Sequence, residues 1–156
     1  MASPQVYTGG IPRHSVLISM IDVHEFLKVP YVDRGRTMDG LDCWGQLLLV
    51  REHLGMPSLP DIGPVSRAEP IAMQREYGKV SSGLSECKPC IGAIAAVFRG
   101  TLFVHVGVVL EIDGRLAVLE TNEGSGPRWM RVQDFVDTYY KVIFYNDQSV
   151  SEQANT

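Results

Sequence analysis

The chain has 156 residues, a net charge of −4 and three cysteines, a length that suits one domain with a substantial core. Apolar residues at 45% and charged residues at 21% are ordinary for a globular fold. The acidic balance and the lack of a Lys/Arg run argue against a nucleic-acid binder, and no uninterrupted apolar run reaches membrane length. Residues 1–10 carry neither the basic nor the apolar segment of a secretory signal, so the expectation is synthesis in a host cytoplasm with no signal peptide. The odd cysteine count does not suggest a disulfide framework.

Residues 1–14, with Pro4, Gly9, Gly10 and Pro12, read as an irregular arm that also holds His14. Residues 15–28 read as a helix whose apolar stripe is Val16, Met20, Val23 and Leu27, ended by Pro30. His24 lies on its polar face, because one histidine with no second ligand at helical spacing does not make a metal site. Residues 31–41 form a charged, glycine-bearing loop.

A helix is predicted over 42–54. Asp42 is a good N-cap, Gly55 a C′ stop, and Cys43, Leu47, Val50 and Leu54 fall on one stripe. Cys43 is thereby set in the first turn, facing inward. The partial positive charge of a helix N-terminus lowers a thiol's pKa, and the thiolate is the nucleophile. His53, late in the same helix, belongs at the surface.

Residues 55–90 make a long connection with five prolines, in which 68–77 forms a short helix if Pro70 lies in its first turn. Cys87 and Cys90 have the spacing of a metal-ligand pair, but the chain offers no second pair to close a four-ligand site. A metal is expected there only if a partner subunit completes it, and the domain itself needs no cofactor.

The periodicity then changes. Residues 91–99, 102–111 and 115–121 read as consecutive strands, with turns at Arg99-Gly100 and at Asp113-Gly114, a two-residue hairpin signal. Residues 128–132 read as a further strand, 133–137 as a helical turn and 140–145 as a last strand. Residues 147–156 form a polar tail. Helices followed by an antiparallel meander define an α+β domain over 15–146. Trp129, Tyr139, Tyr140 and Phe144 are expected in the core or an interface, not in a sugar platform.

Along 102–111, Leu102, Val104, Val106, Val108 and Leu110 alternate with Phe103, His105, Gly107, Val109 and Glu111. His105 is a polar residue inside an apolar strand. Counting from a two-residue loop at Asp113-Gly114 sets Asn122 opposite His105 and Glu120 diagonal to it. Either could accept from the imidazole and fix its tautomer. A thiol at a helix start, an imidazole on a sheet and a third polar group on the next strand suit acyl transfer.

These residues carry a resemblance. Pro30-Tyr31, Gly35, the run Gly40-Leu41-Asp42-Cys43-Trp44-Gly45, and His105-Val106-Gly107 together resemble the NlpC family of papain-like cysteine peptidases that degrade bacterial peptidoglycan. Trp44 resembles the branch carried by long-tailed phages as tail-assembly or tail-tip proteins. The resemblance implies a papain-like fold with N-terminal helices on a central antiparallel sheet. It implies Cys43 as nucleophile, His105 as general base and Glu120 in the third position, where histidine is usual. It implies Tyr31 and Asp42 as residues that line the subsite for the stem-peptide amine. The substrate would be a γ-D-glutamyl–diaminopimelate bond, with no metal or organic cofactor and no nucleic-acid or membrane partner. Other tail-tip proteins would be partners, and the virion the destination. Glu120 in place of histidine, and Arg34 where the family has a second glycine, are departures. They leave room for a structural tail-tip subunit that keeps the fold without the activity.

Overall fold

Asp22 begins the described part of the chain, which in the computed structural model comprises residues 22–60 and 69–147. Its side chain accepts from the His24 N–H at 2.9 Å and caps helix α1, Val23–Leu27. Phe26 is the residue α1 buries, and His24 is exposed. The predicted arm 1–14, the residues Val16 and Met20, the stretch 61–68 and the tail from 148 lie outside the described residues.

The loop expected at 31–41 contains a small hairpin, β1 at Arg36–Thr37 and β2 at Gly40–Leu41. Its backbone is tied to the preceding segment, Val32 N–H to Leu41 O and Leu41 N–H to Pro30 O, each at 3.1 Å. Tyr31 is thereby bridged in parallel to Leu41. Helix α2, Cys43–His53, follows at once. Asp42 caps it and Gly55, at φ +72°, stops it. The predicted stripe of Cys43, Leu47, Val50 and Leu54 is buried.

Helix α3 spans Pro70–Ser81, with Pro70 at its start, where the missing N–H costs nothing. It runs past residue 77, where the prediction ended. Tyr77 stacks on Phe103 at 4.2 Å and Val80 is buried, so tertiary packing carries the helix across Gly78. A short strand that was not predicted, β3 at Leu84–Glu86, comes next.

The main strands are β4 (Ile94–Arg99), β5 (Leu102–Ile112), β6 (Arg115–Asn122), β7 (Gly126–Arg131) and, after helix α4 (Val132–Thr138), β8 (Lys141–Asp147). They form a six-stranded antiparallel sheet with β3, in the order β3-β8-β4-β5-β6-β7. The expected meander thus holds for β4 to β7, whereas β8 returns to insert between β3 and β4. The domain is α+β. No described helix is long and apolar enough to cross a membrane.

The sheet separates two layers. Helix α2 packs on β5 and β6, α3 on β5, and α1 on β7, around Leu47, Val50, Val106, Val108 and Leu110. Helix α4 covers the other face, where Phe135 meets Val97, Val109 and Val118. A register shift between Val97 and Phe98 pairs Phe98 with Phe103 but Val97 with His105, so β5 carries one extra residue. The predicted alternation therefore fails at one end of β5. Phe103 joins the helical layer, and Val104 packs against the opposite one.

Candidate active site

The site starts from the close approach of three backbone segments. Asp42 Oδ1 accepts from Gly45 N–H at 2.8 Å and from Arg36 Nη1 at 2.7 Å, while Oδ2 accepts from Arg34 N–H at 3.2 Å. One buried carboxylate thus closes the α2 N-terminus, neutralises Arg36 and fixes the turn before it. The turn needs fixing, because Arg34 holds a left-handed φ of +64°, which costs an L-residue about 1–2 kcal/mol. This is the position where a glycine was expected from the resemblance, and its conformation is one that glycine adopts without strain. Cys43, the first residue of α2, is a free, buried thiol.

The second half lies on the sheet. His105 Nε2 is 2.8 Å from Glu120 Oε1, and neither side chain is more than 1% exposed. The Asp113-Gly114 loop forms as expected, with φ of +55° and +78°. The ladder from Ile112↔Arg115 ends at Val108↔Leu119. His105 and Asn122, expected to face each other, lie beyond that end and are not ladder partners. Past it β5 pairs with β4 alone, and the two strands that carry His105 and Glu120 part.

Glu120 is the centre of this network. Besides His105, it accepts from Tyr139 Oη, from Asn122 Nδ2 at 3.3 Å and, through Oε2, from Arg128 Nε at 2.8 Å. Burial alone would raise its pKa. Hydrogen bonds from His105 and Tyr139, attraction to the imidazole and the Arg128 contact outweigh burial and bring it down to about 2. The Tyr139 hydroxyl is pushed up by burial and by Glu120. The carboxylate is thus ionised across the physiological range and acts as an acceptor only.

Both third-residue candidates of the sequence are therefore present, in different roles. Glu120 binds the imidazole, and Asn122 binds Glu120. Tyr31 is half-buried beside Leu41. Asp42 is turned inward at 5% exposure, serving the helix cap and Arg36. Cys43 belongs to the layer of α1, α2 and α3, whereas the imidazole shares its face with Val97 and packs 5.6 Å from the Tyr139 ring, on the α4 side. Helix α2, which carries Cys43, lies on β5 and β6, the strands that carry His105 and Glu120.

Tyr139 and Arg128 were not anticipated as site residues. Arg128 had a signal: it is the register partner of Glu120 in the β6–β7 ladder, and a basic residue across from a strand carboxylate is a readable pair. Tyr139 had none, because its hydroxyl arrives from the end of α4. Cys87 and Cys90 lie in the connection between β3 and β4 and make no hydrogen bond to Glu120 or His105, and among the described residues no group of three His, Cys, Asp or Glu could hold a metal ion. The chain matches no family model and no curated protein.

Proposed function

We propose that the chain is a papain-like cysteine peptidase of the NlpC type, carried on a phage tail. In this reading it hydrolyses γ-D-glutamyl–diaminopimelate bonds of peptidoglycan during tail-tip assembly or wall penetration. The observation that carries it is the buried His105–Glu120 hydrogen bond on the two strands that α2 crosses. Glu120 holds Nε2 and fixes the ring, so Nδ1 is the nitrogen that exchanges a proton with the thiol. The Cys43 thiolate attacks the amide carbon, and N–H groups at the α2 start hold the oxyanion. The imidazolium then protonates the leaving amine, and water releases the acyl group from sulfur by the same base. In this reading the Cys43 thiol and the imidazole, which lie in different layers, come together past the end of the β5–β6 ladder. Tyr31 and Asp42 border the first turn, and a substrate amine binds Asp42 by displacing Arg36.

The test is release of stem-peptide fragments from purified sacculi. The wild-type chain releases them, and Cys43→Ala and His105→Ala do not. Equal release by Cys43→Ala overturns the peptidase reading.

A specific observation favours a second reading, a structural tail-tip subunit that keeps this fold. Cys43 is 3% exposed and His105 and Glu120 are fully buried, so a peptide has no path to the sulfur in this state. In that case native Cys43 resists alkylation at neutral pH, with or without His105. Fast, His105-dependent alkylation supports the peptidase.

A further inference from the structure

Cys87 and Cys90 play no part in the network above, and both are free, half-buried thiols. Cys87 N–H donates to Phe144 O at 2.8 Å, and Cys90 O accepts from Ala93 N–H at 2.9 Å, so each cysteine is anchored through its backbone. Both side chains pack against the same layer, beside Phe144 and Val97. Their surroundings differ. Cys90 Sγ accepts from Asn146 Nδ2 at 3.2 Å, and Asn146 Oδ1 accepts from the buried Arg51 Nη1 at 3.1 Å. The Arg51 guanidinium also pairs with Asp147 Oδ2 through Nη2, at 3.1 Å. Cys87 has Glu86 as its neighbour.

We propose that Cys87 and Cys90 are a thiol–disulfide exchange site for a soluble low-molecular-weight disulfide, with Cys90 attacking and Cys87 resolving. The Cys90 sulfur already accepts an N–H from Asn146, whose amide Arg51 holds in place, and this contact sets it as the attacking sulfur. Burial, Cys90 and Glu86 push the Cys87 thiol up to about 12, so it keeps its proton until a mixed disulfide has formed beside it. The Cys90 thiolate breaks the S–S bond of the small disulfide, forms a mixed disulfide and expels one thiolate. Cys87 sulfur then attacks Cys90 sulfur, its proton passes to the departing second thiolate, and the Cys87–Cys90 disulfide forms. Two protein thiols are oxidised and one small disulfide is reduced to two thiols. The site is independent of Cys43 and of any peptidase activity.

The experiment treats the full-length Cys43→Ala chain with glutathione disulfide and follows intact mass and thiol count. The expected product has lost two hydrogens and both thiols. In the same background Cys87→Ser is trapped carrying one glutathione, and Cys90→Ser reacts at least tenfold more slowly. Peptide mapping of the oxidised wild-type chain, which does not depend on how the variants fold, shows Cys87 linked to Cys90. A stable glutathione adduct on the chain with both cysteines overturns the proposal. So does equal reactivity of the two serine variants, or a wild-type map with no Cys87–Cys90 link.

Discussion

His105 Nε2 and Glu120 Oε1 meet at 2.8 Å although their residues are not paired across the β5–β6 ladder. The contact is made by side chains reaching across strands that have begun to part, and it is closed from water on both sides. A carboxylate there carries its stabilisation as a pH dependence. Its pKa falls from 4.5 in the unfolded chain to about 2 in the folded one. The stability it contributes is fully present above pH 4.5 and is lost as the pH drops through 2. A shift of this size corresponds to about 3 kcal/mol. Urea unfolding of the wild-type chain is therefore expected to weaken steeply over that acid window. Glu120→Gln lacks this part of the slope and is the less stable protein at pH 7. An unchanged acid slope in Glu120→Gln refutes the assignment.

Tyr139 and Tyr140 are adjacent in sequence and opposite in consequence. Tyr139 donates its hydroxyl to Glu120, whereas Tyr140 is 95% exposed. Removing a hydrogen bond to a charged group costs about 1.5–3 kcal/mol, and a surface change away from any contact stays within about 0.5 kcal/mol. Tyr139→Phe is expected to lower the urea midpoint and to raise the pH at which acid unfolding sets in, because Glu120 loses a donor. Tyr140→Ser is expected to leave both unchanged. Similar effects from the two variants would remove Tyr139 from the network.

What the sequence made legible was local chemistry. Asp42 and Gly55 mark the ends of α2, and Asp113-Gly114 marks its hairpin, because capping and turn formation are decided by a few neighbouring residues. The same loop, counted backwards, correctly named Glu120 as an acceptor for His105. The count failed one step further, at Asn122, because ladders end where tertiary packing parts the strands. It also failed at Phe103, because nothing in the residues from Val97 to His105 announces the extra residue of a bulge. The insertion of β8 between β3 and β4 was hidden for a similar reason. β3 is only three residues long, Leu84-Ser85-Glu86, too short to show a period, so its place at the sheet edge depends on the partner that reaches it. The layer in which each half of the site lies was likewise decided by the sheet as a whole.

Asp42 joins a helix cap to an ion pair, and its substitutions separate the two. Asp42→Ala removes the acceptor of Gly45 N–H and leaves Arg36 without this carboxylate. Loss of the cap costs about 1 kcal/mol, and the mostly buried charge contact adds a similar amount. Asp42→Asn keeps an acceptor for the cap and loses only the charge. The expected order of urea midpoints is wild type, then Asp42→Asn, then Asp42→Ala. Identical midpoints for Asn and Ala mean that the cap contributes nothing.

The glycines around Cys43 make a sharper prediction. Gly45 lies in the first turn of α2, where alanine is ordinarily the better helix former by about 1 kcal/mol. Here a Cβ on residue 45 would collide with the Gly35 carbonyl oxygen and crowd Leu41. That carbonyl cannot retreat easily, because it accepts from Asp42 N–H and from Arg36 Nη1. A clash with backbone held in this way costs about 1–3 kcal/mol, more than the helix propensity returns. Gly45→Ala is expected to lower the urea midpoint despite its favourable propensity. Gly78→Ala, in the middle of α3 with nothing near its Cβ, is expected to raise it by the ordinary helical gain. A stabilised Gly45→Ala would show that the loop over residues 34–42 does not press on the start of α2, and that the cysteine's first turn is not held from that side.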